Sequence, residues 1–163
     1  GGGTRDQGED GRIIVPWRCA RRLFASSLLA SFSCLVAHLQ GQSDLALLAG
    51  LVLFCSMCYW SYPTLGLRRN VDISVCCFSL AYQTFLRAPA LLQHGQHAVF
   101  SFYITMMFLA SMCYLTARWF GQAKRDYDKS CLMHMGLHAL ANIANVVLYI
   151  ALGRIDRARA NSV

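Results

Sequence analysis

The stretch LALLAGLVLFCSMCYWSY, residues 45–62, decides the fold: eighteen residues pass without a charge. At 1.5 Å per residue, a helix of that length covers about 27 Å, close to the roughly 30 Å hydrocarbon core of a bilayer. Asp44 stands immediately before it and Pro63 immediately after, and a proline disfavours helix in the residue preceding it. The same composition continues outward. Residues 23–117 hold only five charges: Asp44, Arg68, Arg69, Asp72 and Arg87. Over all 163 residues, 56% are hydrophobic and 14% charged, where a typical soluble domain carries about 25% charged residues. A soluble globule of this size has too few polar groups here to cover its surface. A soluble enzyme, a disordered chain and a disulfide-stapled miniprotein are thereby excluded. What remains is an all-α, polytopic transmembrane helix bundle of about five spans.

The spans are read at about 23–39, 45–62, 71–92, 98–120 and 131–152. Residues 1–22 form a polar and basic segment expected to be disordered, residues 23–152 one membrane domain, and residues 153–163 a polar tail beginning where Gly153 is read as a helix stop. The polar lead is too long for the n-region of a cleavable signal peptide. The opening Gly1-Gly2-Gly3 lacks a methionine, compatible with a native start further upstream.

Five spans put Arg5, Arg12, Arg18, Arg21, Arg22, Arg68, Arg69, Arg118, Lys124, Arg125 and Lys129 on one side, and Arg87, Arg154, Arg157 and Arg159 on the other. Positive residues favour the cytoplasmic side. The N-terminus is therefore expected in the cytoplasm and the C-terminus outside or in a lumen. Trp17, Tyr59, Trp60, Tyr62, Trp119 and Tyr127 fall near the expected cytoplasmic interface, where amphipathic rings concentrate. Topology thus accounts for the net charge of +7, so the expected partners are membrane lipids and not nucleic acid. The eight cysteines have no regular spacing and read as small apolar filler.

Chemistry concentrates at His134-Met135-Gly136-Leu137-His138 in the fifth span. The i,i+4 spacing stacks both imidazoles on one helix face, and the face continues through Asn142, Asn145 and Tyr149. Polar groups in lipid are costly, so the stripe must face the bundle interior and the fifth helix is expected to be central. Two readings stand. Paired imidazoles can bind one metal ion, and His and Asn side chains also commonly bond across membrane helices at about 1 kcal/mol each. Asp72, near the start of the third span, reads as a helix-dipole partner, as a pair with Arg68 or Arg69, or as a site carboxylate. Ser56 lies about 9 Å from the end of the second span, and His134 and His138 lie about 5 and 10 Å inside the fifth. All four share one leaflet.

The order of Ser56, then Asp72 after a basic loop, then His134-x-x-x-His138 in the last helix resembles the CREST superfamily of membrane hydrolases, which includes alkaline ceramidases and adiponectin-type receptors. The resemblance implies zinc held by histidines, an Asp and a Ser beside the zinc-bound water, and a lipid amide substrate. Carried over, His134 and His138 would be zinc ligands, Asp72 a ligand or proton acceptor, and Ser56 an orienting or oxyanion group. The chain departs from the pattern in two respects. It has five spans where the family has seven, and Trp60-Ser61 stands where the family's third histidine would fall. His38, His94 and His97 lie on the far side of the expected topology, leaving His134, His138 and Asp72 as the protein ligand set.

Weaker signals read as packing or solvated turns: Cys55-x-x-Cys58, Cys76-Cys77, His94-x-x-His97 and the methionines of the fourth span. No phosphate loop, nucleophile elbow or dinucleotide fingerprint is present. Two functions follow as expectations. The favoured one is a non-catalytic scaffold, subunit or lipid-binding membrane module. The alternative is a zinc-dependent intramembrane hydrolase of lipid amides or esters.

Overall fold

The computed structural model describes residues 15–162. Among them there is no strand. Helices α1 (Trp17–Ser27), α2 (Leu29–Leu39), α3 (Ser43–Trp60), α4 (Leu67–Ala81), α5 (Pro89–Gln93), α6 (His97–Gln122) and α7 (Tyr127–Ala160) follow in order, with a π-helical turn at Tyr82–Arg87 between α4 and α5. These pieces form five helices long and apolar enough to cross a membrane: Trp17–Leu39, Ser43–Trp60, Leu67–Gln93, His97–Gln122 and Tyr127–Ala160. The expected all-α bundle of five spans is what the chain forms.

The first span is broken at Leu28. Ser26 Oγ and Ser27 Oγ both donate back to the Leu23 carbonyl, and Ser31 Oγ to that of Leu28. Such back-bonding competes with the helical ladder and bends it. The third span widens because Pro89 has no N–H to continue the α-helical pattern. The ladder shifts to i→i+5, with Ala88 N donating to Gln83 O at 2.8 Å. This π turn brings Tyr82, Gln83, Thr84 and Arg87 into polar contacts described below.

Two boundaries differ most from the sequence reading. Helix begins at Trp17, so residues 17–22 of the segment expected to be disordered are helical; residues 1–14 lie outside the described residues. Gly153 does not stop the last helix, which runs to Ala160. Its role is close approach. A Cβ there would meet Gln40 Oε1 at 2.6 Å and the Gln40 carbonyl at 3.0 Å, so only glycine lets α7 pass the end of α2 at this distance. With 34 residues, α7 is about 51 Å long, well beyond the hydrocarbon thickness.

Helix α7 occupies the centre, packed against α1, α2, α5 and α6, while α3 packs on α1, α2 and α4. One apolar cluster, around Leu45, Leu91, Tyr103, Leu148 and Tyr149, holds the end near the α2–α3 turn. A second joins Cys19, Leu23, Tyr59, Trp60 and Cys131 at the opposite end. Interior contacts rely on small residues: Ala20, Ala37, Ala88, Ala144, Ser27 and Ser33 are all buried. They let helix backbones approach closely, as in membrane bundles. Phe32, Phe54, Phe85, Phe108 and Leu132 point outward, with Phe85 74% exposed, an apolar exterior suited to lipid.

Candidate functional site

The structure joins two of the sequence-selected residues directly. Ser56 Oγ on α3 donates to Asp72 Oδ1 on α4 at 2.6 Å. Ser56 is 5% and Asp72 7% exposed. Asp72 lies beyond the first turn of α4, and no ion pair to Arg68 or Arg69 occurs among the described residues. Its partner is the serine of the neighbouring helix, with the Cys76 thiol a more distant donor at 3.9 Å.

His134 and His138 form the second pair. Their ring centroids are 5.0 Å apart, nearly perpendicular at 88°. Trp60, one turn beyond Ser56 on α3, sets its indole edge-on to His134 at 5.2 Å, and Tyr114 of α6 approaches from another side at 6.1 Å. His138 Nδ1 lies 2.7 Å from Ser26 Oγ. With the Ser26 proton directed to the Leu23 carbonyl, 3.0 Å away, this contact calls for the tautomer that carries its proton on Nδ1 and its lone pair on Nε2.

The four residues do not merge into one ligand set. Among the described residues, no group of three or more His, Cys, Asp or Glu side chains is placed to hold a metal ion. Asp72 is engaged by Ser56, and the ring neighbours of His134 are His138, Trp60 and Tyr114. The expected metal set of His134, His138 and Asp72 is therefore divided into two pairs. Trp60 was read as part of an interfacial aromatic belt. Instead Tyr59 and Trp60 are buried in the cluster with Cys19, Leu23 and Cys131, while Trp17, Tyr62 and Trp119 are exposed. The Trp60 Nε1–H is buried without an acceptor, and Asn145 Oδ1 without a donor.

Down the same face of α7, Asn142 and Tyr149 are taken up by neighbours. Ser33 Oγ of α2 donates to Asn142 Oδ1 at 2.6 Å, and Asn142 Nδ2 donates to the His138 carbonyl at 2.7 Å. The Tyr149 hydroxyl donates to Gln83 Oε1 in the π turn at 3.0 Å, and Gln83 Nε2 donates on to Ser79 Oγ at 2.8 Å.

A further network was not found from the sequence. Arg87 pairs with Asp44 at 3.3 Å and also donates to Gln42 Oε1. The Tyr82 hydroxyl donates to Asp44 at 2.7 Å, and Gln42 Nε2 donates to Asp156 Oδ2 at 2.6 Å. It ties the α2–α3 turn to the π turn and to α7. The one available signal was an arginine at position 87 facing an aspartate at position 44 across two apolar spans.

Comparisons with protein-family models, with curated proteins and with solved structures give no match to this chain.

Proposed function

We propose that the chain is a non-catalytic multi-pass membrane protein, acting as a scaffold, a subunit or a lipid-binding module, whose polar residues fix the packing of its helices. One observation carries this reading. His138, Asn142 and Tyr149 on α7 each bond to a side chain of a different segment, Ser26 of α1, Ser33 of α2 and Gln83 of the π turn. Three of the five polar side chains of the stripe are thus spent on interhelical bonds, which membrane bundles use as glue. The excess of positive charge beside Trp17, Arg68 and Lys124 supports an orientation with the N-terminus in the cytoplasm and the C-terminus outside or in a lumen.

A second reading, an intramembrane hydrolase of lipid amides or esters, is favoured by the orphan Trp60 Nε1–H, on a ring that meets His134 and one helical turn from Ser56 in sequence. An unpaired buried donor suits a carbonyl oxygen that acquires charge. Bound zinc would supply Lewis-acid polarisation of that carbonyl, but the described residues do not offer it three ligands.

The two readings separate in one assay. Protein reconstituted in lipid, with zinc supplied, is incubated with a fluorogenic lipid amide and a lipid ester. The scaffold reading expects no turnover above that of the His134→Ala/His138→Ala variant. Turnover that is abolished by Asp72→Asn would establish the hydrolase instead.

A further inference from the structure

A groove of about 690 Å³ opens where the turn joining α5 and α6 faces the last third of α7. Three of its lining residues, Val99, Val147 and Ile150, belong to the apolar parts of α6 and α7. Three others are His94 in the turn and Arg154 and Arg159 in the part of α7 that follows Gly153. The helix changes from apolar to charged at Gly153, so the groove lies at the membrane boundary, with one wall in the span and the other at its polar end.

Its charge is only partly compensated, Asp156 standing between the two arginines in the chain. Arg154 and Arg159 have no carboxylate partner among the described residues, whereas Arg87 is paired with Asp44. The nearby carboxylate on α7, Asp156, accepts from Gln42. The N-terminus of α6 adds to this potential. Its N-cap, Gln96, also lines the groove and makes no side-chain cap. The first-turn amides of a 26-residue helix therefore contribute their partial positive charge without a side-chain acceptor.

We propose that this groove binds an anionic phospholipid, with the phosphate between Arg154 and Arg159 and the upper acyl chain along Val99, Val147 and Ile150. Basic pockets between membrane helices take anionic headgroups, and in the orientation proposed above this one opens to the outer or lumenal leaflet. The volume also favours a lipid. It falls within the range of about 300–1,000 Å³ of small-molecule sites, far more than an inorganic phosphate fills, and the apolar wall matches a hydrocarbon chain. The inference rests on the membrane placement of the bundle and not on whether the protein is catalytic.

The test uses the full chain in nanodiscs of phosphatidylcholine alone and of equimolar phosphatidylcholine and phosphatidylglycerol, with retained lipid identified by mass spectrometry after transfer to detergent. Wild type is expected to retain phosphatidylglycerol over phosphatidylcholine. In the Arg154→Gln/Arg159→Gln variant, affinity for phosphatidylglycerol should fall about 25-fold, each arginine contributing roughly fivefold near an anionic surface. Val99→Trp fills the groove without altering charge and should also lose the lipid. Arg68→Gln/Arg69→Gln, which removes the same charge from the opposite end, should keep it. If the double arginine variant does not fold, Arg159→Gln alone is read. Equal retention of the two lipids, an equal loss in the Arg68/Arg69 variant, or displacement by inorganic phosphate would overturn the proposal. Failure of wild type to enter nanodiscs would instead overturn the membrane placement.

Discussion

Ser26 of α1 and His138 of α7 face each other at 2.7 Å between Oγ and Nδ1, and the contact lies at the bend that splits the first span. The same serine holds the bend, through the Leu23 carbonyl, and the central helix, through the imidazole. A double-mutant cycle of Ser26→Ala and His138→Ala, read by unfolding in bicelles, should give a coupling of about 0.5–1.5 kcal/mol, the range found for interhelical bonds in bilayers. Zero coupling would mean that the two side chains do not bond.

Asp72 acts as an acceptor for Ser56. Asp72→Asn retains an acceptor oxygen and should leave unfolding nearly unchanged. Asp72→Leu leaves the Ser56 hydroxyl without its partner and should cost about 1 kcal/mol or more. An unfolding midpoint lowered equally by both substitutions would assign the carboxylate's charge a role that the serine contact does not explain.

Gly153 and Gly50 should respond oppositely to alanine. At Gly153 the new Cβ would collide with Gln40, at distances down to 2.6 Å, so Gly153→Ala should destabilise by about 1–3 kcal/mol. At Gly50 the nearest atom is Cys34 Sγ at 3.7 Å, an ordinary contact. Gly50→Ala should be neutral or stabilising by up to about 1 kcal/mol. Thermal midpoints of the two variants in one detergent decide this.

At the start of α7, Asp126 accepts from the Lys129 amide at 3.1 Å, and the Lys129 ammonium lies 3.0 Å from its carboxylate. The cap bond and then the lysine side chain hold the Asp126 carboxyl below its ordinary range. A carboxylate lowered on folding stabilises at pH above its unfolded value, and that contribution is lost as pH falls through the lowered one. Asp126→Asn keeps a capping oxygen but cannot titrate. Its unfolding midpoint should therefore show less decline on acidification than that of wild type; identical profiles would contradict the assignment.

Trp60 meets His134 from α3, and among the described residues the histidine pair has no third ligand. Trp60→His replaces the indole that meets His134 with an imidazole on the same helix face. The variant is expected to gain stoichiometric zinc, detected by mass spectrometry and lost again on adding His138→Ala. A folded, metal-free variant would contradict this placement.

The five spans were legible because uncharged runs of membrane length leave few alternatives. The common depth of Ser56, Asp72, His134 and His138 and the stacking of the two histidines were legible, but the bond from Ser56 to Asp72 was not, since depth does not fix which helices are neighbours. Other features depend on contacts that spacing does not reveal. Gly153 reads as a stop because glycine commonly ends helices, but here Gln40 of another helix determines its role. Trp60 reads as an interfacial ring because one end of the indole is polar, yet α1 and α7 bury it. The break at Leu28 arises from serines whose hydroxyls choose the backbone, and the π turn from Pro89 acting on the turn before it. The Arg87–Asp44–Gln42 network needs that π turn, so it could not be read before the turn was known.

The central claim is that the polar stripe of α7 binds helices together and not a metal. It is tested most directly by the zinc content of the full chain, extracted in mild detergent without chelator, beside His134→Ala/His138→Ala. The account predicts no stoichiometric zinc in folded wild type and a lowered unfolding midpoint in the variant. One zinc per chain in wild type, absent from the variant, would contradict it.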